Sequence, residues 1–203
     1  QWLAYALHSA GEPAEASAIA RRALPAAVAI GDARTESYLR LSLAYAALVA
    51  GRAAEARRGY RRALSLFEAQ RDAYGVCEAL LGLGRTYSIS GPADSARTMF
   101  ARAAARAEEA RLPRSAASAH NNLASLGFTE GDPEAALASW RYAERMARAA
   151  GELQAVVAAA GNVCLALAGL DRLEEARTVA DSLLEYVTRA GSRDGIVRAR
   201  ARV

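Results

Sequence analysis

The stretch LLGLGRTYSISGPADSARTMF, residues 80–100, contains a glycine five positions before an alanine, Gly91 and Ala96. The same pair recurs at intervals of 40 residues, at Gly11 and Ala16, Gly51 and Ala56, and Gly131 and Ala136, while the fifth copy has Asp171 and Ala176. A fixed period of this length is typical of stacked-repeat proteins, in which each unit needs its neighbours to bury its apolar face. We therefore expect a single array over 1–203. Its predicted parts are a partial repeat 1 (1–32), repeats 2 to 5 (33–72, 73–112, 113–152 and 153–192) and the start of a sixth (193–203).

The composition favours helices and argues against several classes of protein. About a quarter of the 203 residues are alanine and proline is scarce, which favours closely packed helices. No run of about 18 apolar residues lacks charge, so we predict no membrane span. The two cysteines lie in different repeats and give no disulfide framework, so we expect a cytoplasmic protein. All 26 basic residues are arginine, which either codon usage or an anion-binding surface would explain.

Residues 33–72 show how one repeat is built. Apolar side chains surround most of a first helix, helix A, and Gly51 ends it, since glycine takes the left-handed conformation at no steric cost. A second helix, helix B, is predicted from about Ala53 to Gln70 because its apolar residues form one stripe. Each repeat is thus predicted to be two antiparallel helices.

The ends of the B helices follow the same period. Gly31 and Gly151 stand at these ends, and Arg71 and Arg111 replace glycine in two other copies. Pro25 lies inside the first B helix, where it removes a backbone donor, so we predict a kink there.

Aligned in these columns, the sequence resembles a tetratricopeptide repeat array. The family pattern W-x2-L-G-x2-Y followed by A-x3-F is matched by Leu80-x2-Leu83-Gly84-x2-Tyr87 and Ala96-x3-Phe100, and only the tryptophan differs. The period of 40 resembles the longer units of kinesin light chains and of bacterial regulators with tetratricopeptide-like sensor domains. The resemblance implies an all-α fold, a right-handed α-α superhelix of the tetratricopeptide type.

The resemblance also implies a binding face. In this family the A helices line a concave groove that holds an extended peptide or a partner helix. The corresponding positions here include Tyr38, Ser42, Tyr45, Glu78, Arg85, Ser118, Asn121, Asn122, Ser125 and Asn162. The segment His120–Ala124 is similar to the Asn-Asn-Leu-Ala segment of kinesin light chain repeats. Asparagines there bind peptide backbone, because an amide supplies both a donor and an acceptor.

Each of these assignments has a structural alternative. Asn122 and Asn162 share a column and would form a short ladder, or would only cap or solvate helix A. Arg85 would receive a ligand carboxylate, or would form an ordinary surface salt bridge. Trp2 and Tyr5 of the incomplete first repeat would line the groove, or would pack between A helices.

The residue pattern gives little support for catalysis or metal binding. Cys164 falls in the small column where helices cross, and His120 falls in the bulky column that opens the unit. Nothing in the sequence orients a base toward the Cys77 thiol, as a nucleophile requires. No CxxC or HExxH spacing occurs. We therefore predict no enzyme, no cofactor and no metal site.

Three readings of function remain. The first is a protein–protein interaction module that binds a peptide or partner helix. The second is a sensor array of a bacterial signalling or transcription regulator, with the effector domain missing. The third is nucleic-acid binding through B-helix arginines, which interspersed acidic residues such as Glu55 and Glu68 disfavour. The first residue, Gln1, falls mid-helix, so we expect a fragment of a larger protein, with self-association through exposed terminal repeats as a further possibility.

Overall fold

The computed structural model describes residues 13–190, and side chains from Glu15 onward. Several predictions lie outside these residues: the turn glycine Gly11, the aromatic candidates Trp2 and Tyr5, and the start of repeat 6 at 193–203. All the described helices are α-helices. They are α1 (Pro13–Ala29), α2 (Ala33–Val49), α3 (Ala53–Gln70), α4 (Ala73–Ser90), α5 (Ala93–Glu109), α6 (Pro113–Thr129), α7 (Pro133–Ala149), α8 (Leu153–Gly169) and α9 (Leu173–Arg189).

The helix starts confirm the period read from the sequence. The B helices α1, α3, α5, α7 and α9 begin at 13, 53, 93, 133 and 173, and the A helices α2, α4, α6 and α8 begin at 33, 73, 113 and 153. The predicted B helix from Ala53 to Gln70 has those bounds. Pro113 and Pro133 stand in the first turns of their helices, where the missing N–H would have no partner.

The helices divide into two compact units, residues 1–110 and 111–203. In unit 1, each of α1 to α5 packs on the next helix, and the A helices α2 and α4 also contact each other. In unit 2, α6 to α9 pack in the same consecutive way, and the A helices α6 and α8 are in contact. Each unit is therefore a stack of antiparallel helix pairs. The unit boundary falls two residues before the predicted boundary between repeats 3 and 4.

Small residues on the A helices allow aromatic side chains of the B helices to pack closely. In unit 1, a Cβ added at Gly84 would overlap the ring of Phe100, which is 1% exposed. In unit 2, Trp140 is buried in a cluster with Ala124 and Val163. The predicted close crossing of helices A and B at the small column is therefore confirmed.

The turns confirm most of the predicted punctuation, with one exception. Gly51 and Gly131 have φ of 74° and 91°, in the left-handed region. Gly91 is instead extended, with φ −155°, because the following Pro92 disfavours helical conformations at the preceding residue. α1 continues across Pro25 to Ala29, so the proline does not end this helix.

Three turn positions carry a side chain where glycine would fit better. Arg71, Arg111 and Asp171 have φ of 55°, 53° and 57°. Non-glycine residues adopt this left-handed conformation at a cost of about 1–2 kcal/mol. The period of the fold is thus maintained at these turns even where the sequence lacks the favoured residue.

Candidate binding face on the A helices

In unit 1, all five predicted groove residues line one pocket between α2, α3 and α4. The pocket encloses about 410 Å³, part of which is open to solvent. The lining residues, referred to below as the unit 1 pocket, are Tyr38, Leu41, Ser42 and Tyr45 from α2, Tyr60 from α3, and Glu78, Gly82 and Arg85 from α4. The period placed these A-helix positions correctly on one face of unit 1.

The missing side chain at Gly82 shapes this pocket. A Cβ at this position would overlap the ring of Tyr60, so the ring occupies space that any other residue would fill. Tyr60 is 2% exposed, and its burial raises the pKa of its phenol above the ordinary range. The phenol therefore stays protonated and can donate a hydrogen bond. The sequence placed Tyr60 among the aromatic core residues and gave no signal that it also lines the pocket.

Ser42 is the most deeply buried polar side chain of the pocket. It is 6% exposed, and its hydroxyl has no hydrogen-bond partner among the described residues. A buried polar group without a partner costs free energy on folding. The pocket thus contains a hydrogen-bonding group that the folded chain leaves unsatisfied.

Two charged side chains of α4 face the same pocket. Glu78 and Arg85 are seven positions apart, about two helical turns, and so lie on one side of the helix. Both are partly exposed. Within residues 13–190, no carboxylate lies within ion-pair distance of Arg85. The ordinary salt bridge considered for Arg85 from the sequence is therefore not formed in this part of the chain.

Tyr38 is held in place by contacts on both sides. Its hydroxyl donates to Oδ2 of Asp72 at 2.9 Å, and its ring meets Phe67 edge-on at a centroid distance of 4.9 Å. Asp72 also accepts from the backbone N–H of Gly75 at 2.9 Å and so caps α4. The start of one A helix thus fixes a pocket side chain of the preceding A helix.

In unit 2, the predicted residues of the A-helix face form a network of amides and hydroxyls. Nδ2 of Asn162 donates to Oδ1 of Asn121 at 2.9 Å, and Nδ2 of Asn122 donates to the carbonyl of Ser118 at 2.7 Å. Ser125 donates to the carbonyl of Asn121 at 2.9 Å. The contact between amides therefore joins Asn162 to Asn121, and not to Asn122 as the shared column suggested. The reason is that Asn122 donates within its own helix.

The B helices carry arginines that pair largely with carboxylates. Arg62 lies 3.8 Å from Glu36 and Arg102 lies 3.5 Å from Glu68. In unit 2, Arg141 lies 3.2 Å from Glu175. These pairs reduce the positive charge that phosphate groups would meet on the B helices. Nucleic-acid binding through this surface stays a prediction.

The two thiols are packed within the helix stacks. Cys77 is fully buried, its thiol donates to the carbonyl of Ala103 at 3.8 Å, and burial raises its pKa to about 11. Burial also raises the pKa of Cys164, whose thiol donates to the carbonyl of Ala176 at 3.5 Å. A raised pKa disfavours the reactive thiolate, so both residues have the packing role predicted for Cys164.

Two further searches of the described part of the chain found no candidates. Among residues 13–190, no group of three or more His, Cys, Asp or Glu is placed to hold a metal ion. No helix within that range combines the length and the apolar character needed to cross a membrane.

Solved structures with the same fold include a Rap protein complexed with Competence and Sporulation Factor. The TM-score is 0.81 at 11% identity, and the match covers 98% of this chain and 62% of that one. A signal transduction ATPase with a tetratricopeptide repeat sensor, from Pyrococcus horikoshii, gives 0.76 at 14% identity, covering 98% of this chain and 31% of that one. A putative kinesin light chain repeat protein from Podosopora anserina gives 0.66 at 13% identity, covering 93% of both chains.

The similarity is one of structure. No protein-family model matches the sequence, and the comparison with curated proteins finds no match. The chain spans less than two thirds of the Rap protein's length. Nevertheless, the helix pairs, the small and aromatic columns and the solved structures agree with one another. The chain has the fold of a tetratricopeptide-type repeat array.

Proposed function

We propose that the A-helix faces bind a peptide segment of a partner protein, so that the chain is a protein–protein interaction module. The observation that carries this proposal is the unit 1 pocket. It gathers three tyrosines, two opposite charges and an unpartnered buried hydroxyl on the face predicted to bind. Concave sites with aromatic walls and a few polar groups are typical of ligand sites.

Unit 2 supports the proposal with different chemistry. Within the described residues, Nδ2 of Asn121, Oδ1 of Asn122 and Oδ1 of Asn162 make no hydrogen bond. These atoms offer one donor and two acceptors on half-buried side chains. An extended peptide backbone presents the complementary groups at regular intervals.

Two solved structures with this fold also contain peptide ligands. The Rap protein is complexed with Competence and Sporulation Factor, and a Rap conjugation gene regulator of plasmid pLS20 is in complex with the Phr* peptide, with a TM-score of 0.79. For this chain at 11–13% identity, the likeness supports a fold that can hold a peptide. The peptide itself is not carried over.

A second candidate is a sensor array that passes ligand binding to an effector domain of a bacterial regulator. The observation that favours it is the similarity to the ATPase with a tetratricopeptide repeat sensor. The sequence of the gene on either side of these 203 residues tests this candidate. An adjoining DNA-binding, nucleotide-cyclase, kinase or protease domain would support it, and a chain made only of repeats would count against it.

The proposed function is tested by selecting peptides from a random display library on the purified chain. We expect enriched peptides whose affinity falls at least tenfold in the double variant Asn122→Ala plus Asn162→Ala, because two hydrogen-bonding amides are lost. The matched control is Thr98→Ala plus Thr178→Ala, two exposed polar residues of B helices, which should bind as the wild type does. No enrichment, or equal loss in both double variants, would refute binding on the A-helix face.

A further inference from the structure

The unsatisfied groups of the unit 1 pocket are all hydrogen-bond donors or positive charges. Arg85 has no ion-pair partner within the described residues, and Ser42 Oγ has no hydrogen-bond partner. No described residue makes a hydrogen bond to the Tyr60 hydroxyl, which burial keeps protonated. A ligand group that fits this set must accept several hydrogen bonds and carry negative charge.

We infer that the unit 1 pocket binds one carboxylate group of the peptide partner, between the Arg85 guanidinium and the hydroxyls of Ser42 and Tyr60. A carboxylate accepts about four hydrogen bonds, and the planar fork of arginine matches its geometry. This inference rests on the proposed function and names the chemistry of one subsite. The carboxylate comes from an acidic side chain or from a chain terminus.

The depths of these residues define how the group enters. Ser42 is 6% exposed and Tyr60 is 2% exposed, so their hydroxyls lie at the inner end of the pocket. Arg85 is partly exposed and lies nearer to solvent. A carboxylate that reaches the hydroxyls exchanges its hydration for donors inside the protein, where hydrogen bonds to charge are stronger.

Glu78 limits the pocket to a single carboxylate. Its own negative charge lines the same pocket, and like charges in a site of reduced dielectric repel each other. A second acidic residue of the ligand would meet Glu78 unfavourably. The neutral variant Glu78→Gln should therefore bind the carboxylate ligand more tightly, whereas a ligand with an ammonium group would lose affinity.

Ser42 has a matched control within the chain. Ser42 and Ser115 are the two buried hydroxyls without a partner among the described residues, and only Ser42 lines the unit 1 pocket. Removing either hydroxyl should stabilise the folded protein, because an unsatisfied buried group is lost. Only Ser42→Ala should weaken ligand binding, which separates a ligand-binding role from a purely structural one.

The experiment titrates the whole chain with three peptides and follows the ¹⁵N NMR signals of Arg85 Nε and the Gly82 amide. The probes are acetyl-Gly-Glu-Gly-amide, its glutamine equivalent, and acetyl-Gly-Gly-Gly with a free terminal carboxylate. We expect at least tenfold tighter binding of one carboxylate probe than of the glutamine probe. The glutamate and free-terminus probes distinguish the two sources of the carboxylate. Arg85→Gln should abolish this preference, and Ser42→Ala should reduce affinity about tenfold while Ser115→Ala leaves it unchanged.

Three results would overturn the inference. They are no binding of either carboxylate probe or binding equal to that of the glutamine probe, equal effects of the two serine variants, and weaker binding in Glu78→Gln. These outcomes are separate from the test of the proposed function. Library peptides that bind without any acidic residue would leave the proposed function standing and remove only the carboxylate subsite.

Discussion

The two units place different chemistry at equivalent positions 80 residues apart. In unit 1, these positions hold Tyr38, Leu41, Ser42, Tyr45, Tyr60, Glu78, Gly82 and Arg85; in unit 2, they hold Ser118, Asn121, Asn122, Ser125, Trp140, Ala158, Asn162 and Leu165. The first set has two charges and an unsatisfied hydroxyl around a pocket. The second has no charge, and its amides bond to one another and to backbone. One helical framework therefore supports two surfaces with separate binding chemistry.

A single column explains much of this difference. At Gly82 the ring of Tyr60 occupies the space a side chain would need, whereas at the equivalent Asn162 the amide bonds to Asn121. Trp140, the equivalent of Tyr60, directs its Nε1 to the carbonyl of Asn121 at 3.2 Å. A glycine thus yields a pocket with an inward phenol, and an asparagine yields a network of hydrogen bonds.

The largest effect is expected when unit 1 receives the residue of unit 2. Gly82→Asn forces the new side chain against the Tyr60 ring, which must move. Overpacking of this kind costs about 1–3 kcal/mol, and some burial of Tyr60 is lost as well. We expect the free energy of unfolding, measured in urea, to fall by about 3 kcal/mol.

The control for this prediction makes the same change in an open part of a helix. A Cβ at Gly127, in α6, would meet no atom within 4 Å. Gly127→Asn should therefore leave the free energy of unfolding within about 0.5 kcal/mol of the wild type, since asparagine has the slightly better helix propensity. Equal losses in the two variants would show that the close packing of Tyr60 on Gly82 does not determine the difference.

A smaller effect is expected at the turns that precede the B helices. Asp171 of unit 2 has φ 57°, while its equivalent in unit 1, Gly91, is extended before Pro92. Asp171→Gly removes the side chain from a left-handed residue but adds conformational freedom to the unfolded chain. The net result should be a gain in the free energy of unfolding of about 0.5–1 kcal/mol.

The opposite substitution provides the check. Gly131 has φ 91° and an open environment, so Gly131→Asp should lose stability only because of its backbone conformation. Urea denaturation of both variants measures the pair. Stability that is unchanged or reduced in Asp171→Gly would mean that the left-handed turn does not strain the aspartate.

The sequence predicted the fold much more fully than the chemistry of the candidate site. The period placed helix starts correctly because glycine, proline and alanine act locally at turns and crossings. The role of Tyr60 in the pocket was missed because it depends on contact with Gly82, 22 positions away. The pairing of Asn162 with Asn121 depends on side-chain directions across two helices. A column of aligned residues does not specify such directions.

The smallest effect concerns the starts of two A helices. Asp32 caps α2 by accepting from the backbone N–H of Thr35 at 3.0 Å, while the equivalent Leu112 in unit 2 makes no side-chain cap bond to α6. Hydrogen bonds from the side chain and then the backbone of Thr35 lower the pKa of Asp32. A lowered pKa in the folded state means that the cap contributes stability above the ordinary aspartate pKa of about 4, and that this contribution is lost as the pH falls through the folded value.

Asp32→Ala should therefore lower the urea midpoint at about pH 7, and the difference from wild type should shrink at about pH 2–3, where the carboxyl becomes protonated. Matching behaviour is expected for Asp132→Ala, because Asp132 caps α7 through the N–H of Ala135 at 3.1 Å. In unit 2, α6 starts without an acidic cap, so Leu112→Ala should change the midpoint by the same amount at both pH values. A pH-independent difference for Asp32→Ala would mean that its ionised carboxylate does not stabilise the start of α2, and the contrast between the two helix starts would then lie in packing alone.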